Sequence, residues 1–463
     1  MRLPQLLPVV AVLSFLPLAA DGADSAAWKA GAASVVITPE GNMPMAGYAS
    51  RNKPSEGKAQ DLFAKALALE DAGGGRFIIV TMDLIGVPRD LRAHLETRAR
   101  DAYALPRERL LLNASHTHCG PEFRSGKTNA DDAPDSSAPG VVYGQQLEEK
   151  VFHLIGAALK DIAPARLAYS HGRAGFSMNR RLPTDKGFQN SPYPDGPVDQ
   201  DVPVLSVRGA DGTLRAVLFG YSCHNTTLGF YQFCGDYAGF AQEDLQSDHP
   251  GLTALFLNGC SGDQNPYPRG TLDFAQRHGR ALAMAVEAAL SVTAPRPVAG
   301  PIRAAFAELE LAYGPVPTRE EFAALTQSTE KTTAAHARRM LAKLDQEGAL
   351  PATYAYPVQV AHFGEDLILT ALGGEVVVDY SLRLKKELAG QAAVWIAGYS
   401  NDVMGYIPSR RVREEGGYEG ETAMRYTSHP APWAPELEEK IIGKVHELHR
   451  QLRASALPLA PAP

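Results

Sequence analysis

Cysteine is scarce in this chain, with four residues among 463. That number is too small for a disulfide-stapled scaffold in a chain of this length. The cysteines share no C-x-x-C spacing, which argues against a four-sulfur zinc site. An oxidising compartment would permit one or two disulfides, and the sequence leaves their pairing open. The four positions are Cys119, Cys223, Cys234 and Cys260.

The chain also lacks an excess of basic residues. Its 45 lysines and arginines face 52 acidic residues, and the formal net charge is −7 at pH 7. Without a positive field to hold a phosphate backbone, nucleic acid is not expected as a partner. The 42 glycines show no regular period, which argues against collagen and solenoid repeats. With 45% apolar and 21% charged residues, the composition is that of a globular protein.

Apolar runs of about 18 residues are missing after the N-terminus. At the N-terminus itself, Arg2, the apolar stretch 6–20 and the small residues that follow are typical of a signal peptide. The stretch contains Pro8 and Pro17 and is short for a membrane span, and an uncleaved anchor helix is the alternative. We therefore expect a signal peptide over residues 1–23, an exported (periplasmic or secreted) protein, and no stable membrane span.

Strand-like and helical patterns alternate along the rest of the chain. Short runs rich in β-branched and aliphatic residues, such as 77–82, 202–207 and 254–257, predict buried strands. Runs with apolar residues three and four positions apart, such as 89–103 and 274–290, predict amphipathic helices. The alternation predicts an α/β fold in which mixed β-sheets are flanked by helices.

No linker-like segment divides the chain, and we expect one large domain, or two closely packed lobes, over residues 24–453. Within it, the charged segment 318–348 predicts a helical excursion on the surface, either a solvated helical pair or a lid. Residues 358–369 return to a strand pattern. The proline-rich residues 454–463 are expected to form a disordered tail.

A His-x-His motif follows the predicted strand 110–115. The motif is His116-Thr117-His118, and Gly120-Pro121 ends it. Because side chains alternate along a strand, the two imidazoles should project to the same side. Strand ends are where α/β folds place their sites, and two neutral imidazoles suit a metal ion. A pair of hydrogen-bonded structural histidines is the alternative. His224, which also follows an apolar run, strengthens the metal interpretation.

A polar, glycine-rich turn over residues 258–266 follows another predicted strand. It misses the G-x-S-x-G pattern because Asp263 replaces the last glycine, and it lacks the Gly-Lys-Ser/Thr of a P-loop. Its local interpretation is an ordinary tight turn capped by Asp263. Taken locally, Glu375 would be a solvated surface residue, and Tyr406 and Tyr418 would be packing residues.

Together and in order, these segments resemble the catalytic domain of the neutral, non-lysosomal ceramidases. The resemblance begins near Gly31, covers nearly the whole mature chain, and depends on the shared order of short motifs. Those motifs are Ile37-Thr38-Pro39, Met45-Ala46-Gly47-Tyr48, Ala64-Lys65-Ala66-Leu67, His116-Thr117-His118, Asn179-Arg180, His224-Asn225-Thr226-Thr227, Gly373-Gly374-Glu375 and the Tyr406/Tyr418 pair.

The resemblance implies a zinc site. Carried onto this sequence, the family's four ligands are His116, His224, Glu375 and Tyr406. Two imidazoles, a carboxylate and a phenol oxygen are donors that suit Zn²⁺. The resemblance also implies that His118, Arg180 and Tyr418 are helper groups. On chemical grounds His118 would transfer a proton to the departing amine, and Tyr418, together with Arg180 or Asn265, would stabilise the oxyanion.

This sequence departs from the family at one functional position. Ceramidases carry Gly-Asp-x-Ser-Pro, whereas residues 262–266 here place Asn265 where the serine would be. An amide cannot replace a hydroxyl as a nucleophile, but it can donate a hydrogen bond to an oxyanion. We therefore expect no serine-based mechanism at this position and include Asn265 among the catalytic candidates. The family's C-terminal immunoglobulin-like domain is expected to be missing, since the sequence stops soon after the predicted helix 435–452.

These observations predict a zinc-dependent amide hydrolase that uses zinc-activated water. By resemblance, its substrate is a lipid or small-molecule amide of the N-acyl sphingoid type, cleaved to fatty acid and amine. An exported zinc hydrolase of a non-lipid amide or ester is the first alternative. A non-catalytic binding protein on the same scaffold is the second. A serine hydrolase that uses Ser261 is least supported, because the nucleophile-elbow pattern is broken.

Overall fold

The computed structural model describes residues 28–123, 138–291, 295–390 and 392–455. The expected signal peptide and all but the first two residues of the expected tail lie outside these ranges. The first strands are β1 Trp28–Val36, β2 Phe63–Asp71, β3 Arg76–Met82, β4 Leu110–Ala114, β5 Ala163–Arg173, β6 Ser177–Thr184, β7 Gly187–Tyr193, β8 Asp201–Gly209 and β9 Leu214–Tyr221. The later strands are β10 Thr253–Asn258, β11 Gln264–Pro266, β12 Arg296–Pro297, β13 Ile302–Ala312, β14 Thr353–Phe363, β15 Leu367–Leu372, β16 Glu375–Val376, β17 Ala393–Ala397 and β18 Tyr406–Ile407.

Helices separate these strands along the chain. The α-helices are α1 Arg89–Tyr103, α2 Pro139–Lys160, α3 Asp236–Asp248, α4 Leu272–Leu290, α5 Arg319–Leu325, α6 Lys331–Glu347, α7 Val378–Glu387, α8 Arg410–Glu415, α9 Gly417–Gly420 and α10 Leu437–Ala454. Two short 3₁₀ helices span Arg107–Arg109 and Thr422–Tyr426.

The largest sheet in the described part of the chain has nine strands. Its order is β10-β9-β8-β5-β1-β2-β3-β4, with β12 paired to β5. The two end pairs, β10/β9 and β3/β4, are parallel, and the strands between them are antiparallel. A second sheet has the order β13-β14-β15-β17, and β11-β6-β7 forms a small third sheet. Strands β16 and β18 pair with each other in parallel.

The two large sheets pack face to face, and helices cover their outer faces. Between the sheets, Leu67 and Leu218 of the nine-stranded sheet share one buried cluster with Leu369 and Trp395 of the second sheet. Helices α1 and α2 cover one part of the nine-stranded sheet, and α3 and α4 cover another. Helices α7 and α10 cover the four-stranded sheet. The result is a layered arrangement of helix, sheet, sheet and helix.

The predicted fold class is confirmed, and the predicted elements match the observed ones at most positions. Strand β3, for example, contains the run 77–82, which is buried on both faces as the unbroken apolar pattern predicts. One prediction differs from the structure. The segment 358–369, which was predicted as a continuous strand pattern, contains the end of β14, a turn and the start of β15. Gly364 has φ +57°, which turns the chain between β14 and β15.

The charged segment 318–348 is the helical pair α5 and α6. The two helices share a small apolar cluster of Phe322, Ala337 and Met340. They are also attached to the rest of the protein, because Nε2 of His336 donates a hydrogen bond to the carbonyl oxygen of His429 at 2.7 Å. The excursion is therefore helical, as predicted, and docked.

The four cysteines lie within the described residues, are buried, and form no disulfide. Burial raises the pKa of each of these thiols, which keeps them protonated. Among the described helices, none has both the length and the apolar content required to cross a membrane.

Candidate metal centre

His116 lies just beyond the end of strand β4, in a loop rather than on the strand. The strand ends at Ala114, and His116 has φ +64°, a left-handed conformation that is uncommon for a residue with a side chain. The prediction that strand alternation would orient His116 and His118 is therefore wrong in its reason. The imidazoles are nevertheless neighbours, with their Nε2 atoms 3.1 Å apart.

Backbone carbonyls orient the two imidazoles of His116 and His224. Nδ1 of His116 lies 2.6 Å from the carbonyl oxygen of Ile85, and Nδ1 of His224 lies 2.5 Å from that of Ser261. A carbonyl oxygen can only accept, so each Nδ1 must carry the proton and donate. The Nε2 atom of each neutral ring therefore presents a lone pair, which is the usual arrangement of a metal-binding histidine.

Glu375 and Tyr406 are brought together by the short parallel pair β16/β18, in which they are direct register partners. Oε2 of Glu375 lies 3.2 Å from Nε2 of His116 and 3.3 Å from Nε2 of His224. This oxygen is buried and makes no hydrogen bond. The hydroxyl oxygen of Tyr406 lies 3.4 Å from Nε2 of His224. Four potential ligand atoms therefore converge.

The charges at this cluster favour a bound cation. Burial by itself would raise the pKa of Glu375, but the imidazoles of His116 and His224 hold it well below its usual range. Burial, together with the charge of Arg180, lowers the pKa of His224 to about 3. Burial raises the pKa of Tyr406 well above its usual value, although Arg180 opposes the shift. The Glu375 carboxylate is therefore ionised and lies beside the neutral imidazole of His224.

Three of the distances between these atoms match the spacing of ligands around a zinc ion. Zinc–nitrogen and zinc–oxygen bonds of about 2.0–2.1 Å place neighbouring ligands of a tetrahedron about 3.3–3.4 Å apart. The measured contacts of 3.2, 3.3 and 3.4 Å lie close to this edge length. Without a cation, two nitrogen lone pairs would face a carboxylate oxygen at the same distance, which is unfavourable. The donor set therefore fits a zinc ion.

His118 lies against this cluster on the side of the loop that contains Tyr48. Nitrogen atoms of His116, His118 and His224 all lie within 4.8 Å of one another. The Tyr48 ring packs on His118 at a centroid distance of 4.7 Å, and Nδ1 of His118 is buried without a hydrogen-bond partner. Burial lowers the pKa of His118 well below its usual value, so that its ring is neutral.

Arg180 lies next to Tyr406 and is hydrogen-bonded to three residues. Its Nη2 donates a hydrogen bond to the Tyr406 hydroxyl at 2.8 Å, its Nε donates to Glu419 at 2.8 Å, and its Nη1 donates to Oδ1 of Asn265 at 3.2 Å. The Tyr418 ring packs on the Tyr406 ring at 5.4 Å and is 37% exposed. All eight candidate residues predicted from the sequence therefore lie in one region.

Sequence reasoning missed several residues of this region. Tyr399 has φ +49°, is fully buried, and packs on the His116 ring at 4.5 Å. Glu419 binds both Arg180 and Arg181. Glu419 carries one sequence signal, its position directly after Tyr418. Tyr399 lies two residues beyond the end of strand β17, and a position just after a strand is the kind of signal that singled out the histidines.

The cavity beside the four converging side chains has a volume of about 460 Å³. Its apolar lining residues are Met45, Ile85, Val403, Met404 and Ala423. Polar groups line it as well, namely Ser50, Glu122 and the hydroxyl-bearing Tyr48, Tyr418 and Tyr426. The volume lies in the range of small-molecule and cofactor sites.

Comparison with solved structures places the fold among the ceramidases. The chain matches the crystal structure of neutral ceramidase from Pseudomonas aeruginosa with a TM-score of 0.72 and 20% identity, over 94% of this chain and 76% of that one. A structure described as ceramidase complexed with C2 matches with a TM-score of 0.71 and 20% identity, over 94% of this chain and 77% of that one. The fold is therefore that of the neutral ceramidases.

Sequence comparison defines the family. The profile described as "Neutral/alkaline non-lysosomal ceramidase, N-terminal" matches residues 28–272, which is more than half of the chain. This chain therefore belongs to the neutral/alkaline non-lysosomal ceramidase family. The curated neutral ceramidase of Pseudomonas aeruginosa is 25% identical over 260 residues, which are 53% of this chain and 38% of that protein. Glu375, Tyr406 and Tyr418 lie beyond the matched profile region.

Proposed function

We propose that this chain is a zinc-dependent amide hydrolase that cleaves an N-acyl sphingoid-type amide to a fatty acid and an amine. The observation that carries the proposal is the convergence of two imidazole nitrogens, a carboxylate oxygen and a phenol oxygen, with three neighbouring contacts of 3.2, 3.3 and 3.4 Å. Family membership supports the reaction and the substrate class. His116, His224, Glu375 and Tyr406 would hold the metal ion.

When bound, zinc supplies Lewis-acid activation of water and of the amide carbonyl. The chain's own residues perform the remaining tasks. His118 lines the cavity beside His116 and is not needed in the ligand set, so it is placed to carry a proton to the leaving amine. The hydroxyl of Tyr418, which also lines the cavity, donates a hydrogen bond to the carbonyl oxygen as negative charge develops there.

A hydrolase of a non-lipid amide or ester is the second candidate function. Polar groups of Ser50, Glu122 and three tyrosines line the cavity beside its aliphatic residues, and polar groups favour a polar substrate. The two candidates differ in how they respond to apolar chain length. A lipid hydrolase gains kcat/KM as the acyl chain lengthens, whereas a small-amide hydrolase does not.

The test combines metal analysis with a substrate series. Purified protein is expected to contain one zinc per chain by mass spectrometry. It should hydrolyse an N-acylsphingosine, and kcat/KM should rise from a two-carbon to a twelve-carbon acyl group. Equal turnover of short amides and esters would instead favour the second function. Failure of the zinc-loaded protein to hydrolyse any amide or ester in the series would contradict both functions.

A ligand variant and a matched control test the assignment of the centre. His116→Ala is expected to lose bound zinc and at least about 100-fold in kcat/KM, because it removes one of four ligands. The side chain of His153 is 76% exposed on helix α2, so His153→Ala should keep both the bound zinc and the wild-type kcat/KM. Full turnover by a zinc-free His116→Ala protein would overturn the assignment.

We also propose that the protein is exported, on the basis of residues 1–23. Expression of the full chain in a bacterial host, followed by fractionation, should recover a processed form outside the cytoplasm. A chain lacking residues 1–23 should stay in the cytoplasm. Retention of the full chain in the cytoplasm would contradict export.

A further inference from the structure

Arg180 is a buried cation that is held by three different partners. Its side chain is 4% exposed, and its donors reach Glu419, Asn265 and Tyr406. A buried guanidinium is tolerated only when its charge and its donors are satisfied, so the two partners other than Tyr406 determine where the third donor points. Those two partners are the carboxylate of Glu419 and the amide of Asn265.

The orientation of the Asn265 amide follows from its neighbours. Arg180 has donors and no acceptor, so the atom of Asn265 that faces Nη1 at 3.2 Å must be the carbonyl oxygen. The same oxygen accepts from the Thr226 hydroxyl at 3.1 Å. The Nδ2 group points away, toward Asn190 at 3.4 Å and Tyr267 at 3.5 Å. Asn265 is fully buried in this arrangement.

Glu419 provides the opposing charge. Its carboxylate binds Nε of Arg180 through one oxygen, at 2.8 Å, and Nη1 of Arg181 through the other, at 2.7 Å. Glu419 is 4% exposed, so both contacts are shielded from solvent. Glu415 balances the second guanidinium at 3.1 Å. With the charges matched, the Arg180 guanidinium is fixed on two sides, and Nη2 lies 2.8 Å from the Tyr406 hydroxyl.

We propose that Asn265 and Glu419 are positioning residues that hold Arg180 against the Tyr406 hydroxyl, and that Asn265 acts through its carbonyl oxygen. This inference rests on the proposed metal centre, in which Tyr406 is a ligand. Asn265 is thereby assigned a supporting role behind Arg180, in place of direct donation to the substrate oxyanion.

Metal affinity, measured by chelator competition on the full chain, tests this inference without recourse to turnover. Asn265→Ala and Glu419→Gln are each expected to weaken zinc binding about 10-fold or more, as is typical when a residue that supports a metal ligand is removed. Asn190→Ala removes one of the two partners of Nδ2, leaves the partners of Oδ1 in place, and should bind zinc as the wild type does. Equal losses in Asn190→Ala and Asn265→Ala would overturn the carbonyl-oxygen role.

A double-substitution cycle separates positioning from general destabilisation. In a Tyr406→Phe background the supported hydroxyl is gone, so Asn265→Ala and Glu419→Gln should each weaken zinc binding by less than about twofold further. A full, additive 10-fold loss in that background would overturn the inference. Glu419→Gln preserves the shape of the side chain and keeps the test open if the alanine variant does not fold.

Failure of the underlying function is recognised separately. If the wild-type chain binds no zinc, the proposed function and this inference are both overturned. If the wild type binds zinc and Tyr406→Phe weakens the binding, but the two supporting substitutions have no effect, only the inference is overturned.

Discussion

Individual residues of the candidate centre are held in unusual conformations by their surroundings. His116 and Tyr399 both adopt left-handed backbone angles, at φ +64° and +49°. Such angles cost about 1–3 kcal/mol and persist only where neighbouring contacts enforce them. Here the amide of His116 donates to the carbonyl oxygen of Leu84 at 2.9 Å, and that of Tyr399 donates to Gly374 at 3.0 Å. The two rings pack on each other at the centre, with a centroid distance of 4.5 Å.

Gly47 provides a test at the residue scale. It has φ +98°, and a Cβ atom added there would lie 2.5 Å from Cγ of His118. Gly47→Ala should therefore displace the His118 ring. Because a displacement of about 1 Å can cost roughly 100-fold in rate, kcat/KM is expected to fall by about that factor. Bound zinc should be unchanged, since His118 is outside the proposed ligand set.

The matched control for this substitution is Gly41→Ala. Gly41 belongs to the same loop region, and a Cβ atom there would meet nothing within 4 Å. Steady-state kinetics and zinc analysis on both variants distinguish the outcomes. Normal turnover by Gly47→Ala would show that the position of His118 is not important for the reaction.

At the scale of elements, two very short strands determine the geometry of the centre. Strands β16 and β18 have two residues each, yet their parallel register places Glu375 beside Tyr406. The second of these strands is supported from outside, because the Trp433 indole donates to the carbonyl oxygen of Tyr406 at 2.9 Å. Strands of this length carry no period-two pattern, so sequence periodicity does not reveal them.

The loop before β18 is attached to neighbouring elements through His429. Nε2 of His429 donates to the carbonyl oxygen of Met404 at 3.1 Å, and Nδ1 accepts from the Tyr313 hydroxyl at 2.5 Å. The neutral ring is thus fully hydrogen-bonded, and burial lowers the pKa of His429 to about 4. The His429 backbone carbonyl also accepts from His336 of helix α6. His429 therefore links helix α6 to the loop before β18.

The lowered pKa of His429 predicts an acid-labile contribution to stability. Between pH 7 and pH 5 the unfolded chain, with an ordinary histidine pKa near 6.5, takes up a proton that the folded chain does not. Stability should therefore fall with pH through this window, by about 2 kcal/mol from this residue, with further loss toward the folded pKa. Urea unfolding of the wild type and His429→Gln at both pH values measures the difference.

His429→Gln should be less stable than the wild type at pH 7, yet should lose less stability on acidification. His153→Gln, a substitution at an exposed position on helix α2, is the matched control. If His429→Gln and the wild type lost the same free energy between pH 7 and pH 5, the neutral buried state of His429 would be refuted.

At the scale of the whole molecule, the proposed metal centre joins separate parts of the fold. His116 follows β4 and His224 follows β9, which lie in different parts of the nine-stranded sheet. Glu375 and Tyr406 come from the separate two-stranded pair. A metal ion bound by all four side chains would therefore connect these elements. Because the unfolded chain does not bring the four together, the ion would stabilise the folded state and not the unfolded one.

Removal of the metal should lower the melting temperature of the whole chain. A ligand present at about 1,000 times its Kd stabilises a fold by about 4 kcal/mol, so a chelator is expected to lower Tm by several degrees and added zinc to restore it. Glu375→Gln should show little response to either reagent. Differential scanning calorimetry provides the measurement, and a wild-type Tm that is insensitive to both reagents would contradict a structural link through zinc.

Much of the fold could be predicted because its signals are local. The apolar run 77–82 is buried in β3, and the spacing over 89–103 matches α1 to the residue. The hairpin at Gly364 and the bend at His116 could not be predicted, because positive φ angles depend on surrounding contacts. For the candidate site, the resemblance named ligands and helpers, whereas the supporting role proposed for Glu419 emerged only from its contacts.

Local patterns were enough to predict the α/β class and several of the strands and helices. These features depend on residue type and on spacing over a few positions. The three-dimensional structure was needed to show that four distant side chains meet and that Arg180 lies beside them. The four are His116, His224, Glu375 and Tyr406. Their convergence requires sheet register and loop conformations set by contacts between residues far apart in the chain, and short-range patterns do not encode such contacts.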